Sequence, residues 1–224
     1  MRRAFLLSPA HCGGLRAQMV LRPAATFDLA TRLRSPEGAA LGEVFTFLSG
    51  LYFRGKLAYA RRFADAPVPG DGLAGVSLDA GRGIFVITTN CGLVPPDTNV
   101  NRRTVVAFGQ SDIAEAGDSY RRPLLRDAHA LSELLGPSGD VVLLGSIASA
   151  KYVDVLTEVF GPRLLFPVDF VGRGDMSRGG LMLRSSRSGE ELPYVPVVGA
   201  TRHGKRPPKL PPIKRRPPVP PLSD

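Results

Sequence analysis

The sequence predicts an α/β protein of three layers, in which a mainly parallel sheet is flanked by helices, followed by a disordered tail rich in Pro, Lys and Arg. Two observations support this prediction. Short apolar segments rich in β-branched residues alternate along the chain with longer segments of helical periodicity. Residues 202–224 hold eight prolines and seven Lys or Arg without apolar periodicity. We therefore divide the chain into one α/β domain, residues 1–201, and a tail, residues 202–224.

The first half of the domain predicts two strands separated by a long helix. Apolar runs predict strands at residues 4–8 and 83–89, the second being "GIFVITT". Gly50 predicts a break in the helix near residues 49–50, because glycine weakens a helix interior by about 1 kcal/mol relative to alanine. The "PVPGDG" that follows has the composition of a turn. The helix covers residues 41–66, where apolar side chains recur at helical spacing: Leu41, Val44, Phe45, Leu48, Leu51 and Tyr52.

The second half continues the alternation of strands and helices. "RTVVAFG" predicts a weaker strand at 103–109, and residues 119–136 predict a helix that Gly136 and Pro137 end. "DVVLLG", 140–145, is the best candidate for a central parallel strand because it is continuously apolar. A helix at 150–161 and strands at 163–171 and 179–186 complete the domain. The last two strands are candidates for a hairpin around the glycine-rich stretch 169–184.

Most of the positive charge belongs to the tail. The chain carries a net charge of +9, of which the tail, with seven Lys or Arg and one Asp, contributes +6. The domain therefore keeps only +3, which argues against a nucleic-acid platform on its surface. For the tail three interpretations stay open: a disordered terminus, electrostatic attachment to nucleic acid, or docking to a domain that recognises Pro-rich peptides.

The composition also limits cofactors and location. Cys12 and Cys91 are the two cysteines, too few for a disulfide framework, and we expect both to stay reduced. The chain has three histidines, and the sequence shows no cluster of metal ligands, so we expect neither a metal site nor a cofactor. No apolar run approaches the roughly 20 residues that cross a bilayer. The apolar run in "MRRAFLLSPA" is shorter than the apolar core of a signal peptide. We therefore expect a cytoplasmic protein without membrane contact.

A ligand of a parallel α/β sheet binds beyond the carboxyl ends of its strands, and polar loops follow four of the predicted strands. In "SPAHCGGLR", Gly13 permits a tight turn and Arg16 supplies charge. In "GSIASAKY", Gly145, Ser146 and Ser149 precede a helix, whose free N–H groups suit phosphate. Ser149 as a simple helix cap is the alternative. Neither loop has the spacing of a P-loop or a dinucleotide fingerprint.

Two further loops carry the candidate acids. "TNCGLVPPDTN" contains Asp97, and "DFVGRGDMSRGG" contains Asp175. We predict these two carboxylates as catalytic groups, with Arg173 and Arg178 as anion binders. A solvent-facing hairpin is the alternative for the second loop. Its Arg-Gly-Asp tripeptide resembles an adhesion motif, which the lack of a secretion signal argues against.

A resemblance to a known group adds to this interpretation. "FLLSPA" with the Gly-Gly-Leu-Arg turn after it, "LSGLYFRGKLAYARRF" and "VITTNCGLVPPDTNV" resemble segments of small bacterial α/β proteins. Those proteins are distantly similar to the uracil-DNA-glycosylase-like group and to deazaguanine-modification accessory domains. The resemblance covers roughly the first 100 residues and implies a nucleotide or nucleic-acid ligand. A water-activating motif of the glycosylases is not evident. The matching residues are Tyr52, Tyr59 and Ala60, then Gly92, Leu93, Pro96 and Asp97.

Three functions follow from these observations. The first is an enzyme acting on a nucleotide or nucleoside-like ligand, a hydrolase of an N-glycosidic bond for example, in which Asp97 or Asp175 orients water or stabilises a developing cation. The second is a non-catalytic module that binds nucleic acid or protein through the basic, proline-rich tail. The third is a structural α/β domain whose polar loops serve only as turns.

Overall fold

A computed structural model describes residues 2–65, 83–110, 117–148 and 150–211. A six-stranded sheet with the order β4-β3-β1-β6-β7-β8 forms its centre, and β2 and β5 form a separate two-stranded sheet. The strands are β1 Arg3–Leu7, β2 Ala39–Ala40, β3 Ile84–Ile87, β4 Leu93–Val94, β5 Asn99–Val100, β6 Asp140–Leu144, β7 Leu164–Pro167 and β8 Tyr194–Pro196.

The α/β class is confirmed, whereas the prediction of a mainly parallel sheet holds only in part. The four central strands β3, β1, β6 and β7 are parallel. Both edge strands, β4 and β8, pair antiparallel to their neighbours. For β4 the reason is the length of its connection, because the few residues after β3 suffice for a turn but not for the crossover that a parallel pair needs.

Helices cover both faces of the sheet. Along β1, Phe5 and Leu7 enter one apolar core while Ala4 and Leu6 enter the other, as the twofold alternation of a strand requires. The first core contains side chains of α1 to α5 and α8, and the second contains those of α6 and α7. The helices are α1 Leu15–Leu21, α2 Asp28–Arg34, α3 Leu41–Ser49, α4 Leu51–Phe63, α5 Arg102–Gln110, α6 Gly117–Leu135, α7 Ala150–Phe160 and α8 Asp175–Ser188.

The predicted break near residues 49–50 is confirmed. Gly50 separates α3 from α4 with φ 61° and ψ −129°. This conformation is open to glycine and strained for residues with a Cβ. The break redirects the chain, so that the apolar stripe predicted as one helix is divided between two. The "PVPGDG" turn predicted after α4 lies outside the described residues.

Two predicted strands are wrong. Residues 102–110 form α5, which buries Val105 and Phe108 three positions apart. Residues 175–188 form α8, so the hairpin alternative for 169–184 is wrong as well. Short apolar runs do not distinguish a strand from a buried helix face, and packing decided both cases. The strands predicted at 4–8, 83–89, 140–145 and 163–171 and the helices at 119–136 and 150–161 are present with bounds that differ by a few residues.

Helices α4 and α8 pack closely at two glycines. A Cβ on Gly55 would lie 2.6 Å from the carbonyl oxygen of Gly179, and a Cβ on Gly179 would lie 2.7 Å from that of Leu51. The backbones therefore approach to a distance that no larger residue allows. This approach brings the start of α8 next to the first turns of α4, where the candidate site lies.

The described part of the tail, residues 202–211, has neither helix nor strand. It runs beside α8. Arg173, in the loop before α8, donates to the carbonyl of Pro208 over 3.3 Å, and Arg184 of α8 donates to the carbonyl of Pro211. Lys205, Arg206 and Lys209 are exposed. The remaining tail residues lie outside the described ranges.

Candidate functional site

The strand order places a crevice between β1 and β6. From β1 the chain crosses to β3 on one side, and from β6 it crosses to β7 on the other side. Adjacent strands whose connections leave in opposite directions form a topological switch point, the usual ligand site of such sheets. Ser8 follows β1 and Gly145 follows β6, and the backbone N–H of Ser8 donates to the carbonyl of Leu144 over 3.2 Å. Both loops that we predicted from the sequence therefore meet here.

A buried lysine of α4 is bonded to the end of β1. The Nζ of Lys56 donates to the carbonyl oxygen of Ser8 over 3.1 Å and lies 2.6 Å from its Oγ. The same atom stands 3.9 Å from the centre of the Tyr52 ring. Lys56 is 1% exposed and Ser8 is 7% exposed, so the pair is largely separated from bulk water.

Burial changes the protonation of this lysine. Loss of solvation lowers the pKa of Lys56 to about 7, with the charge of Arg178 acting in the same direction and that of Asp175 opposing it. No carboxylate among the described residues forms a salt bridge with Lys56. A large fraction of the amine is therefore neutral near pH 7, and a neutral amine can accept a proton from a neighbouring hydroxyl.

Tyr152 of α7 and Gly145 close the other side of Ser8. The hydroxyl of Tyr152 donates to the carbonyl of Ser146 over 3.0 Å. A Cβ on Gly145 would lie 2.8 Å from Cβ of Ser8 and 2.9 Å from the Tyr152 hydroxyl, so only glycine lets the three groups meet. Burial raises the pKa of Tyr152, while a hydrogen bond with Ser8 acts against that rise. Tyr152 therefore stays a neutral phenol beside Ser8.

The beginning of α8 brings a guanidinium to the same place. Nε and one terminal nitrogen of Arg178 each donate to the carbonyl of Phe170 over 3.1 Å, while the other terminal nitrogen lies 3.8 Å from Asp175. The Arg178 side chain is 14% exposed. Its charge acts on Lys56, Tyr52 and Tyr152. The guanidinium therefore faces the cluster formed by Ser8, Lys56, Tyr52 and Tyr152, which we call the Ser8–Lys56 cluster.

Tyr52 contributes an unused hydrogen-bonding group. Its hydroxyl is buried and forms no hydrogen bond of ordinary geometry among the residues that the structure describes, although the nearby Arg178 acts on it as a hydrogen-bond donor. Because arginine only donates, the Tyr52 hydroxyl proton has no acceptor there. Burial raises the pKa of Tyr52, against the effect of the nearby Arg178 charge, so the phenol keeps its proton. A buried donor without a partner costs about 1–3 kcal/mol. An anionic oxygen between this phenol and Arg178 would satisfy both groups.

The other predicted ligand-binding residues are used by the chain itself or lie apart. Arg16 donates to the carbonyl of Phe47 over 2.9 Å, at the end of α3. Arg173 donates to the carbonyl of Asp169 and to the hydroxyl of Ser177. Gly13 lies in the loop after β1, where a Cβ would approach the His11 ring. The predicted site residue Ser149 lies outside the described residues. The hydroxyl of Ser146 accepts a hydrogen bond from the N–H of Ala148.

The two predicted catalytic carboxylates occupy different surroundings. Asp97 forms an ion pair with Arg61 near the end of α4, at 2.6 Å, and both side chains are about half exposed. Asp175 begins α8 and acts on Lys56 through its charge. Of the two, Asp175 is the one that the structure associates with the Ser8–Lys56 cluster.

The sequence interpretation missed Ser8, Lys56, Tyr52 and Tyr152 as a set. One signal for Lys56 was present. It stands four positions after Tyr52, on the face of the helix that carries the apolar stripe. A lysine on a buried face is rare unless its charge is paired or its pKa is shifted. Its partner Ser8 is 48 residues away in the chain, and no local pattern joins the two.

The cysteines lie apart from this chemistry. Burial raises the pKa of the Cys12 thiol to about 12, so this thiol stays protonated and is a poor nucleophile. Cys91 is exposed, and both are free thiols. Among the described residues, no group of three or more His, Cys, Asp or Glu side chains could hold a metal ion.

A surface groove of about 540 Å³ lies at a different place, between α7 and the segment after β8, and is lined by Asp154, Thr157, Val197 and Arg202 among others. None of its lining residues is a predicted site residue.

Of the helices that the structure describes, none has both the length and the apolar character needed to cross a bilayer. Comparisons of the chain with protein-family models, with curated proteins and with solved structures return no match.

Proposed function

We propose that this protein is an enzyme that acts on a nucleotide or nucleoside-like ligand bound where β1 and β6 end. One observation carries the proposal: a buried amine, a serine hydroxyl, a phenol whose proton has no acceptor among the described residues, and a guanidinium converge at the switch point of the sheet. A purely structural domain gains nothing from such a group, because burying Lys56 and leaving Tyr52 unbonded both cost stability.

The anionic part of the ligand has a defined place in this proposal. Arg178 and the hydroxyl of Tyr52 offer donors to phosphate oxygens, and guanidinium groups bind phosphate strongly because they donate several hydrogen bonds in one plane. Asp175 is exposed at the start of α8 and is the carboxylate available to orient water or a sugar hydroxyl. The catalytic role predicted for Asp97 stays a prediction.

The tail favours a second candidate function, a module that attaches to nucleic acid. Lys205, Arg206 and Lys209 are exposed while residues 202–211 run beside α8. In this case the basic side chains contact phosphates without sequence preference, and binding weakens steeply with salt. The first candidate predicts that ligand binding depends on Arg178, and the second predicts that it depends on the basic residues of the tail.

Thermal unfolding of the full chain with nucleosides, nucleotides and short DNA or RNA, at two salt concentrations, separates the candidates. The variants are Arg178→Gln, Arg187→Gln and a tail variant in which the seven Lys and Arg of residues 202–224 become Gln. Arg187 lies in the last turn of the same helix and is the matched control.

If the protein is the proposed enzyme, a mononucleotide should raise the Tm of the full chain, the Arg187→Gln variant and the tail variant by the same amount. Adding the same mononucleotide should not change the Tm of Arg178→Gln. Stabilisation by nucleic acid alone, lost at high salt and in the tail variant, would contradict this proposal and support the attachment module.

A further inference from the structure

Ser8 and Lys56 form a pair whose geometry is that of a nucleophile and its base. The Lys56 Nζ donates to the Ser8 Oγ over 2.6 Å. Once the amine is neutral, the same distance lets the Ser8 hydroxyl donate its proton to the amine lone pair. The amine also donates to the Ser8 carbonyl, which holds it in place against the end of β1. Aromatic rings of Tyr52 and Phe53 surround the amine and keep water from solvating its charged form.

We propose that Ser8 is a nucleophile activated by Lys56 as general base, and that the pair cleaves an ester by acyl transfer through an acyl-Ser8 intermediate. The inference takes its location from the proposed function and adds a reaction class to it. The pair itself does not require a nucleotide.

The reaction balances within the chain's own groups and water. Oγ of Ser8 attacks the ester carbonyl carbon while its proton passes to Nζ of Lys56, which becomes an ammonium group. The carbon–oxygen bond of the leaving alcohol breaks, and Lys56 returns its proton to that oxygen. Water then gives a proton to Lys56 and attacks the acyl-Ser8 carbonyl. The carboxylic acid leaves as Ser8 regains its proton from Lys56.

Donors for the developing oxyanion stand beside the pair. The Tyr52 hydroxyl proton has no acceptor among the described residues, and the Tyr52 ring contacts Lys56. Arg178 acts on Lys56 and Tyr52 through its charge. Fixed donors stabilise an oxyanion in a site without water, because they need no reorganisation as the charge forms. An oxyanion would give the Tyr52 hydroxyl proton the acceptor that it lacks among the described residues.

The test uses the full chain and a small alkyl fluorophosphonate, which phosphonylates activated serines with loss of fluoride. Intact mass and peptide mapping then count and locate the adduct. We expect one adduct, on Ser8, which is absent from Ser8→Ala. In Lys56→Met the labelling rate should fall by roughly 100-fold or more, the usual contribution of a general base. Matched controls are Ser188→Ala, at the far end of α8, and Lys205→Met in the tail, which should label at the unsubstituted rate.

The pH dependence of labelling separates a base from a lysine that only supports the fold. Ser8 of the β1 loop and the Tyr52 ring of α4 contact Lys56, and Asp175 and Arg178 of α8 act on it through their charges. Tyr152 of α7 lies on the far side of Ser8. The Lys56 pKa lies at about 7, so the rate should rise with pH through a midpoint near 7 as the amine becomes neutral. If Lys56 only stabilised the fold, the labelling rate would show no midpoint near pH 7.

Three outcomes would overturn the inference: no adduct on Ser8 of the folded full chain at pH 7 and pH 9, equal labelling of Ser8→Ala, or labelling of Lys56→Met at the unsubstituted rate with its fold intact by circular dichroism. Hydrolysis of p-nitrophenyl acetate, lost in the same two variants, would support it. Nucleotide stabilisation is measured separately. Labelling of Ser8 without any stabilisation by nucleotides would therefore contradict only the proposed ligand. Stabilisation by a nucleotide without labelling of Ser8 would contradict only this inference.

Discussion

Lys56 shows how one residue can connect the chemistry of the site with the stability of the fold. An ordinary lysine has a pKa of 10.5, while burial lowers that of Lys56 to about 7. Between these two values the unfolded chain binds more protons than the folded chain. The free energy of unfolding therefore rises with pH across this range, with a slope that approaches about 1.4 kcal/mol per pH unit.

We expect Lys56→Met to remove this pH dependence. Methionine is unbranched and fills a similar space without a charge, so the variant should be more stable than the unsubstituted protein at pH 7. The difference should shrink toward pH 10, because there the buried amine is neutral and the lysine no longer costs solvation. Urea unfolding of both proteins at pH 7, 8, 9 and 10 measures it. A constant difference across these pH values would contradict the shifted pKa.

Gly92 is a second residue whose identity the backbone requires. Its φ is +72°, and a Cβ there would lie 2.1 Å from a carboxylate oxygen of Asp127 and 2.6 Å from the carbonyl of Pro123. The same Asp127 oxygen accepts the N–H of Leu93 over 2.9 Å and holds β4 against α6. Any side chain at position 92 therefore meets both a strained backbone and a filled space.

Gly92→Ala should lower the free energy of unfolding by about 2 kcal/mol or more, since conformational strain of about 1 kcal/mol adds to a steric overlap. Gly136→Ala is the matched control, because Gly136 also has φ +72° but has nothing within 4 Å of the added Cβ. It should show the strain alone. Equal losses in urea unfolding would show that the contact with Asp127 contributes nothing.

At the scale of elements, the contact of α4 with α8 positions the Ser8–Lys56 cluster. Lys56 lies next to Gly55 on α4, and Arg178 lies next to Gly179 on α8. Because the two glycines allow the backbones to touch, the guanidinium comes close enough for its charge to act on the buried amine. A wider separation of the helices would move Arg178 away while leaving each helix intact.

Gly179→Ala should therefore destabilise the protein by about 2 kcal/mol and reduce nucleotide stabilisation. The neighbouring Gly180→Ala is the control, since its Cβ would meet only a Leu210 methyl at 3.6 Å. Alanine is the better helix former by about 1 kcal/mol, so Gly180→Ala should be neutral or stabilising. Thermal unfolding with and without ligand checks both variants, and a stable Gly179→Ala would disprove the tight contact.

At the scale of the whole molecule, the distribution of charge separates the tail from the domain. The tail carries +6 of the net +9. Attraction between the protein and nucleic acid should therefore depend on the tail, whereas binding at the sheet should depend on the few charged groups buried there.

We expect a short DNA duplex to bind the full chain with an affinity that falls steeply with salt, and to lose this binding when the seven Lys and Arg of the tail become Gln. The slope of log K against log salt should decrease by up to about 0.9 for each phosphate contact removed. Fluorescence anisotropy at several salt concentrations measures this. Unchanged affinity of the Gln variant for DNA would place the DNA contacts on the domain. The control is the rise in Tm caused by a mononucleotide, which should be the same in the Gln variant if its fold is intact.

The sequence by itself determined the features that depend on neighbours along the chain. The apolar runs at β1, β3, β6 and β7 are strands, Gly50 ends a helix, and polar loops follow the strands at the edge where the Ser8–Lys56 cluster lies. These features depend on backbone propensity and on the period of apolar residues, both of which are local. The same local signals located two loops of the site, those that contain Ser8 and Gly145.

Only the tertiary structure decided the rest. Residues 102–110 and 175–188 are helices because their apolar residues meet a helical neighbour, and the edge strands run antiparallel because of where their chains return. The pairing of Ser8 with Lys56, 48 residues apart, depends on α4 lying against the end of β1. A buried amine and its partner are defined by desolvation and by contacts between distant segments, and neither property belongs to a residue until the chain has folded.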